Sequence, residues 1–216
     1  MKFENTEVWG FEHAVRGMRN PLNSWDKGDS GYIDRRFNDH FYIGENDLDL
    51  AQRLIKAGSE HRKFLRQVFV SVDITAPLYW WKEFDTYKVG IVANSTSTMH
   101  KLADTPITLD CFELTSVKLC EAGKRYFQEL ENMRIRYNEL KNTDAEKSKH
   151  YWKALIQLLP ESWLQKRTVT MNYENVLNMY KQRKNHKLSE WSKSFCDWVK
   201  TLPYAEELIC FEKEIK

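Results

Sequence analysis

The sequence has few of the residues that interrupt or cross-link a chain, with 8 glycines, 5 prolines and 4 cysteines among 216 residues. So little glycine and proline excludes a collagen-like or low-complexity chain. None of the cysteines falls in a C-x-x-C spacing, so nothing supports a redox motif or a disulfide framework. We therefore expect a reduced, cytoplasmic protein.

Long apolar runs are absent as well. No stretch approaches the roughly 18 consecutive apolar residues that a membrane-spanning helix needs, and the mean hydropathy is −0.66. The N-terminal residues MKFENTEVWG lack the basic segment and apolar stretch of a secretory signal. We expect no membrane as a partner.

An excess of charge of one sign is also missing. Lysine and arginine total 33, aspartate and glutamate total 31, and the net charge is +2. This balance gives no electrostatic reason to expect binding to DNA, RNA or an anionic membrane. Any anionic ligand must be held by a few local groups.

The common catalytic motifs do not occur. The sequence contains no G-x-S-x-G, no P-loop and no G-x-G-x-x-G, so the usual hydrolase, NTPase and dinucleotide-binding classes lack their motifs. Its six histidines form no H-E-x-x-H or H-x-H pair, and we expect no metal site. The pairs Glu60–His61 and Asp39–His40 are either acid–base groups or ordinary surface residues.

Aromatic residues are abundant, at 13% of the chain with eight tryptophans. Neighbouring Trp80 and Trp81 could stack on a planar base, because base–aromatic contacts contribute about 1–3 kcal/mol each. The alternative, which the burial habits of tryptophan favour, places both in a core or an interface.

Hydrophobic periodicity indicates an α+β protein, mostly helical with a small antiparallel or mixed sheet. We expect a single domain over residues 1–216 with a helical extension around 121–160. A half-buried strand is predicted at 67–75 from strict alternation, and an irregular loop over 20–44. Weaker strand character occurs at 166–171 and near the N-terminus. Helices are predicted over 45–57, after Pro77, over 124–141, from about 144 to Pro160, and over 172–186 and 189–201.

The stretch NSTSTMH, residues 94–100, is rich in hydroxyl groups. Such a loop could donate several hydrogen bonds to a phosphate or a base. The alternative is a plain turn in which the hydroxyls bond to the neighbouring backbone.

Two segments together resemble the flavin-dependent thymidylate synthases. Residues 54–100 contain a helix ending in glycine, a Glu-His pair, an alternating strand, an Ala-Pro turn, a helix and a hydroxyl-rich loop in the order found in that family. Residues 168–203 resemble its second motif, T-x-N-x-R-x-L-x-N/H-F-x-x-L-R, with matches at Thr170, Asn172, Asn178 and Arg183. The resemblance covers about two thirds of the chain.

The resemblance implies a thymidylate synthase-complementing-like fold, a homotetramer, and a small nucleotide of the dUMP class as ligand. In an active member the cofactor is FAD, with NADPH and methylenetetrahydrofolate supporting methyl transfer. By position in the motifs, Arg183 is the catalytic residue and binds the pyrimidine. Asn94 and Ser97 are the other implied substrate contacts, and the implied flavin contacts are Asn178, Lys88 and His61. A surface role for Arg183, within the basic run 181–184, is the alternative.

The first family motif, R-H-R-x-x-S-x-N-E-x-S, is not preserved. Counting from Pro77 places R-H-R on Thr86-Tyr87-Lys88, and counting back from Asn94 places it on Tyr87-Lys88-Val89. Replacing paired guanidinium groups by one lysine removes several charge-assisted hydrogen bonds of about 1.5–3 kcal/mol each. A serine also follows Asn94 where the motif has glutamate.

Three hypotheses follow. The first is an FAD-dependent methyltransferase of the thymidylate synthase type. The second is a non-catalytic nucleotide-binding or assembly protein that keeps the fold, and the third is a purely structural protein.

Overall fold

The computed structural model of the protein describes residues 1–33, 40–114 and 120–211. The strands are β1 (Lys2–Trp9), β2 (Gly31–Ile33), β3 (His40–Tyr42), β4 (Phe69–Pro77), β5 (Val92–Ser95) and β6 (Leu164–Asn172). The α-helices are α1 (Phe11–Arg19), α2 (Glu45–Ala57), α3 (Leu78–Phe84), α4 (Thr98–Lys101), α5 (Glu121–Leu140), α6 (Ala145–Gln157), α7 (Tyr173–Arg183) and α8 (Cys196–Lys200). Short 3-10 turns and two π-helical segments, Glu190–Phe195 and Glu206–Cys210, complete the described elements.

Four strands form one sheet in the order β1-β4-β6-β5, and β2 pairs antiparallel with β3. The predicted class, α+β with a small sheet, is confirmed. Alternation in β4 buries Val70, Val72 and Ile74 and leaves Phe69 partly exposed, as the period-two pattern indicates.

The chain divides into two compact units. The first contains Met1–Lys2, Ile74–Thr86 and Asn94–Arg167, and the second contains Phe3–Asp73, Tyr87–Ala93 and Thr168–Lys216. The expectation of one domain stays a prediction.

The first unit contains the antiparallel pair formed by α5 and α6. Leu130 of α5 and Leu155 of α6 are buried together with Leu102, Ile107 and Phe112. The buried side of the helix predicted over 124–141 thus packs against a neighbouring helix. Asp144 caps α6 by accepting a hydrogen bond from the Lys147 N–H at 3.1 Å.

Trp80 and Trp81 lie in the core of the first unit, with 0% and 1% of their surface exposed. The Trp81 indole N–H donates to the Gln165 carbonyl at 3.0 Å, and the Arg167 guanidinium lies 4.2 Å from the Trp81 ring centre. The expectation that both tryptophans are buried is confirmed. The alternative, that they stack on a base, is wrong, because neither ring is exposed.

A buried ion pair organises the start of the second unit. The Asp47 carboxylate accepts hydrogen bonds from Arg19 Nε at 2.5 Å and from the Ser30 hydroxyl at 2.6 Å. The Asp29 carboxylate accepts from the backbone N–H groups of Asn46 and Asp47 at 2.8 and 3.1 Å. The α2 bounds agree with the predicted 45–57. Asp29 satisfies these donors from 17 and 18 residues earlier in the chain.

The predicted irregular loop over 20–44 is partly regular. It contains two 3-10 turns, Asn20–Leu22 and Trp25–Lys27, and the strands β2 and β3. The polar, glycine-rich composition of this segment contains no periodic pattern that predicts these short elements. The hydrogen bonds that pair β2 with β3 join two segments that no local pattern connects. The Asp39 half of the Asp39–His40 pair lies outside the described residues.

In the part of the chain that the structure describes, no helix is long and apolar enough to cross a membrane.

We predict that Asp47→Asn lowers the free energy of unfolding by about 3–5 kcal/mol near pH 7, because the buried Arg19 loses its counter-charge. Burial opposes ionisation, but hydrogen bonds from Ser30 and Arg19 outweigh it and lower the pKa of Asp47. A lowered native pKa stabilises the fold above the unfolded value, near 3.9, and that stabilisation is lost as the pH falls through the native pKa.

Urea unfolding of both proteins from pH 7 to pH 2 measures this effect. The two stabilities should converge below about pH 4. Asp49→Asn, in an exposed pair with Arg53 on the same helix, is the control and should change stability by less than about 0.5 kcal/mol. A constant gap between wild type and Asp47→Asn across the range contradicts the prediction.

Candidate functional site

The candidate site is built on α7, which starts where β6 ends. Asn172 is the N-cap: its side chain accepts from the Asn175 N–H at 3.0 Å, and the Asn175 side chain accepts from the Asn172 N–H at 3.2 Å. This reciprocal capping box satisfies two backbone donors. Tyr173, Val176 and Leu177 are fully buried and fix the opposite face of the helix.

A turn from the middle of the chain docks on the start of α7. The Asn175 side-chain amide donates to the Val89 carbonyl at 2.8 Å. Gly90 has a φ of +75°, and a Cβ placed there would be 3.1 Å from the Asn172 amide nitrogen. Glycine therefore satisfies both the backbone conformation and the close approach.

At the other end of α7, Arg183 is partly buried against two aromatic rings. Its Nε donates to the Tyr87 hydroxyl at 2.8 Å, and that hydroxyl donates to Gln182 Oε1 at 3.0 Å. The guanidinium carbon lies 4.8 Å from the Trp191 ring centre and 5.5 Å from that of Tyr87. Arginine on an aromatic face keeps its charge and a fixed orientation.

A second charged group on α7 is Glu174, which is buried. Its carboxylate accepts from Arg62 Nε at 3.2 Å through one oxygen and from Arg66 Nε through the other. Hydrogen bonding and charge attraction by Glu174 raise the pKa of Arg66. Arg62 also donates through Nη2 to Asn178 Oδ1 at 2.9 Å. We call Arg62, Arg66, Glu174 and Asn178 the Glu174 network.

Counting along T-x-N-x-R from Thr170 places the arginine of that motif on Glu174. The motif position is thus occupied by a charge of opposite sign, whose partners come from the 3-10 turn Arg62–Gln67. This count is a signal that sequence alone contains. The roles of Arg62 and Tyr87 carry no comparable signal, because their hydrogen bonds with Asn178 and Arg183 join residues 116 and 96 positions apart in sequence.

Four of the implied site residues lie in the second unit. Arg183 and Asn178 are on α7, Lys88 is exposed in the turn that docks on α7, and exposed His61 directly precedes Arg62. Glu60 and His61 are both exposed. Exposure is compatible with both alternatives, acid–base groups and ordinary surface residues.

His61 lies on the wall of a cavity of about 910 Å³ within the second unit. Its apolar surface comes from α1, α2 and the turn after His61, through Met18, Leu54 and Phe64. Lys63 and Arg66 give part of its rim positive charge.

The remaining two implied residues, Asn94 and Ser97, lie in the first unit. Asn94 is exposed in β5. The Ser97 hydroxyl accepts from the His100 N–H at 3.2 Å and caps the short helix α4. The serine thus makes the local turn that was the alternative to ligand binding.

Among residues 1–33, 40–114 and 120–211, no group of three or more histidine, cysteine, aspartate or glutamate side chains could hold a metal ion.

The arrangement of strands and helices is the fold of the flavin-dependent thymidylate synthases. Two solved structures of this enzyme from Helicobacter pylori match the chain. Thymidylate synthase X (ThyX) with FAD and dUMP has a TM-score of 0.71 and 15% sequence identity, covering 97% of both chains. Flavin-dependent thymidylate synthase ThyX complexed with FAD and dUMP has a TM-score of 0.69 and 16% identity, covering 97% of this chain and 98% of the other.

No protein-family model matches the sequence, and no curated protein matches it. At these identities the likeness establishes the fold and leaves the function to the residues of the site.

We predict that Asn172→Ala lowers the free energy of unfolding by about 1 kcal/mol, because the first turn of α7 loses its cap. Thermal unfolding followed by circular dichroism measures the change. Asn185→Ala, at an exposed position after α7, is the matched control and should leave the midpoint unchanged. Equal midpoints for Asn172→Ala and wild type would sink the capping role.

Proposed function

We propose that the protein binds a pyrimidine nucleotide of the dUMP class through Arg183. The fold likeness over 97% of the chain to one enzyme, solved twice with FAD and dUMP, supports this proposal. The observation that carries it is the position of Arg183, at the last residue of the second motif and against two aromatic rings.

The chemistry of a guanidinium group suits this task. Its planar fork can donate two parallel hydrogen bonds to an imide or carbonyl edge, which lysine cannot do. Tyr87 and Trp191 restrict the arginine before any ligand arrives. A side chain already held in one orientation loses less conformational entropy on binding.

Asn94 and Ser97 stay predictions as further substrate contacts. Using the Ser97 hydroxyl as an acceptor for ligand would compete with its bond to the His100 N–H. As a donor, the same hydroxyl remains compatible with a phosphate oxygen.

Methyl transfer is the further hypothesis for the same fold, and it requires FAD together with NADPH and methylenetetrahydrofolate. The residues implied for the flavin fit it poorly. Asn178 already accepts from Arg62, and Lys88 is the only cation in either register of the replaced R-H-R motif.

The second candidate function is a non-catalytic nucleotide-binding or assembly protein. The specific observation in its favour is Glu174, a carboxylate at the motif position of an arginine, with both oxygens bonded to arginines. The implied homotetramer is a prediction that light scattering of the purified protein would check.

We predict that Arg183→Ala weakens dUMP binding by about 10- to 100-fold, which corresponds to the loss of about 1.4–2.8 kcal/mol of charge-assisted hydrogen bonding. Titration calorimetry with dUMP measures the affinity. Arg136→Ala, which removes an exposed arginine paired with Glu139 on α5, is the control and should bind like wild type. A wild-type protein that binds no dUMP contradicts the proposed function, and unchanged affinity in Arg183→Ala contradicts binding through Arg183.

We predict that Tyr87→Phe weakens dUMP binding by about three- to tenfold, because a hydroxyl hydrogen bond contributes about 0.5–1.5 kcal/mol to holding its partner. The ring stays, so the cation–π contact with Arg183 is retained. Calorimetry with dUMP is again the measurement, with Tyr42→Phe at an exposed position as the control. Equal affinities for Tyr87→Phe and wild type would show that the hydroxyl does not position Arg183.

A further inference from the structure

The Glu174 network occupies the face of α7 on which the implied flavin contact Asn178 lies. We propose that this network replaces the flavin as the partner of α7, so that the protein excludes FAD. The exclusion of FAD does not depend on the proposed function. Only its corollary, that a nucleotide binds without FAD, rests on that function.

The charges of the Glu174 network disfavour binding of the FAD diphosphate. FAD carries a diphosphate, which needs cationic or N–H donors where it binds. Arg62 and Arg66 could supply two guanidinium groups, but Glu174 neutralises one of the two charges and takes the Nε donor of each. A carboxylate on the same folded chain competes at a high effective concentration with any anion from solution.

The contact between Arg62 and Asn178 also disfavours a flavin ring. Arg62 has only 17% of its side chain exposed, and its Nη2 donates to Asn178 Oδ1 at 2.9 Å. A flavin ring placed against Asn178 would have to displace this arginine. The displaced guanidinium would leave the buried Glu174 carboxylate short of a partner, which a low-dielectric site penalises.

The segment at the position of R-H-R offers little positive charge for a diphosphate. Both registers include Tyr87 and Lys88 and contain no arginine. The Tyr87 hydroxyl bonds with Arg183 and Gln182, so this residue serves α7. One exposed ammonium group is left where the motif provides two planar forks.

The network also fixes α7 to a neighbouring segment. It joins the 3-10 turn Arg62–Gln67 to the first and second turns of α7 through three hydrogen bonds. The helix that carries Arg183 is therefore fixed without a ligand.

The test compares FAD and dUMP binding to the full-length protein. Wild-type protein should be colourless as purified, and titration with FAD should give no saturable heat and no quenching of flavin fluorescence. Saturable FAD binding to the wild type overturns the proposal, whether or not dUMP binds. Absence of both ligands supports the exclusion of FAD and contradicts the proposed function, so the two failures are distinguishable.

A variant assigns the exclusion to its residue. Glu174→Gln keeps the shape of the side chain and releases two guanidinium groups from their carboxylate, and it should raise FAD affinity by at least about tenfold over the wild-type limit. Glu139→Gln removes the same charge from an exposed pair with Arg136 and should bind no FAD. Folded Glu174→Gln that still binds no FAD overturns the role of the network. Should circular dichroism show that the variant is unfolded, the wild-type FAD titration alone decides the proposal.

Discussion

The bond between one buried carboxylate and two arginines is the constraint on which the site depends. Burying the Glu174 carboxylate without partners would cost free energy, and Arg62 and Arg66 are the partners that the fold provides. Because both arginines belong to the same short turn, satisfying Glu174 also fixes that turn against α7. Arg62 also donates through Nη2 to Asn178, one helical turn beyond Glu174.

Helix α7 collects contributions from distant parts of the chain. Its cap is closed by Asn172 and Asn175, the turn around Gly90 docks on that cap, and the Arg183 end is held by Tyr87 and Trp191. The buried face with Tyr173 and Leu177 supplies the hydrophobic free energy that keeps the helix in place. The polar groups on the rest of the helix determine which ligand chemistry is available. The fold and the function of α7 therefore depend on different residues.

Regular elements were predictable where side-chain periodicity determines them. The bounds of α2 agree because its apolar residues recur at helical spacing and Gly58 ends the pattern. The cap at Asp29 and the contact between Tyr87 and Arg183 were not predictable, because each joins segments far apart in sequence and no local pattern records the pairing. Composition favoured burial of Trp80 and Trp81, and the structure places both in the core.

The charge at residue 174 couples three positions of the chain. An arginine there would bring three guanidinium groups together without the carboxylate that now pairs with two of them, a state that destabilises the fold. Removing Arg62 or Arg66 alone would leave the buried carboxylate underpaired. The effects of changing these residues singly are therefore not expected to add.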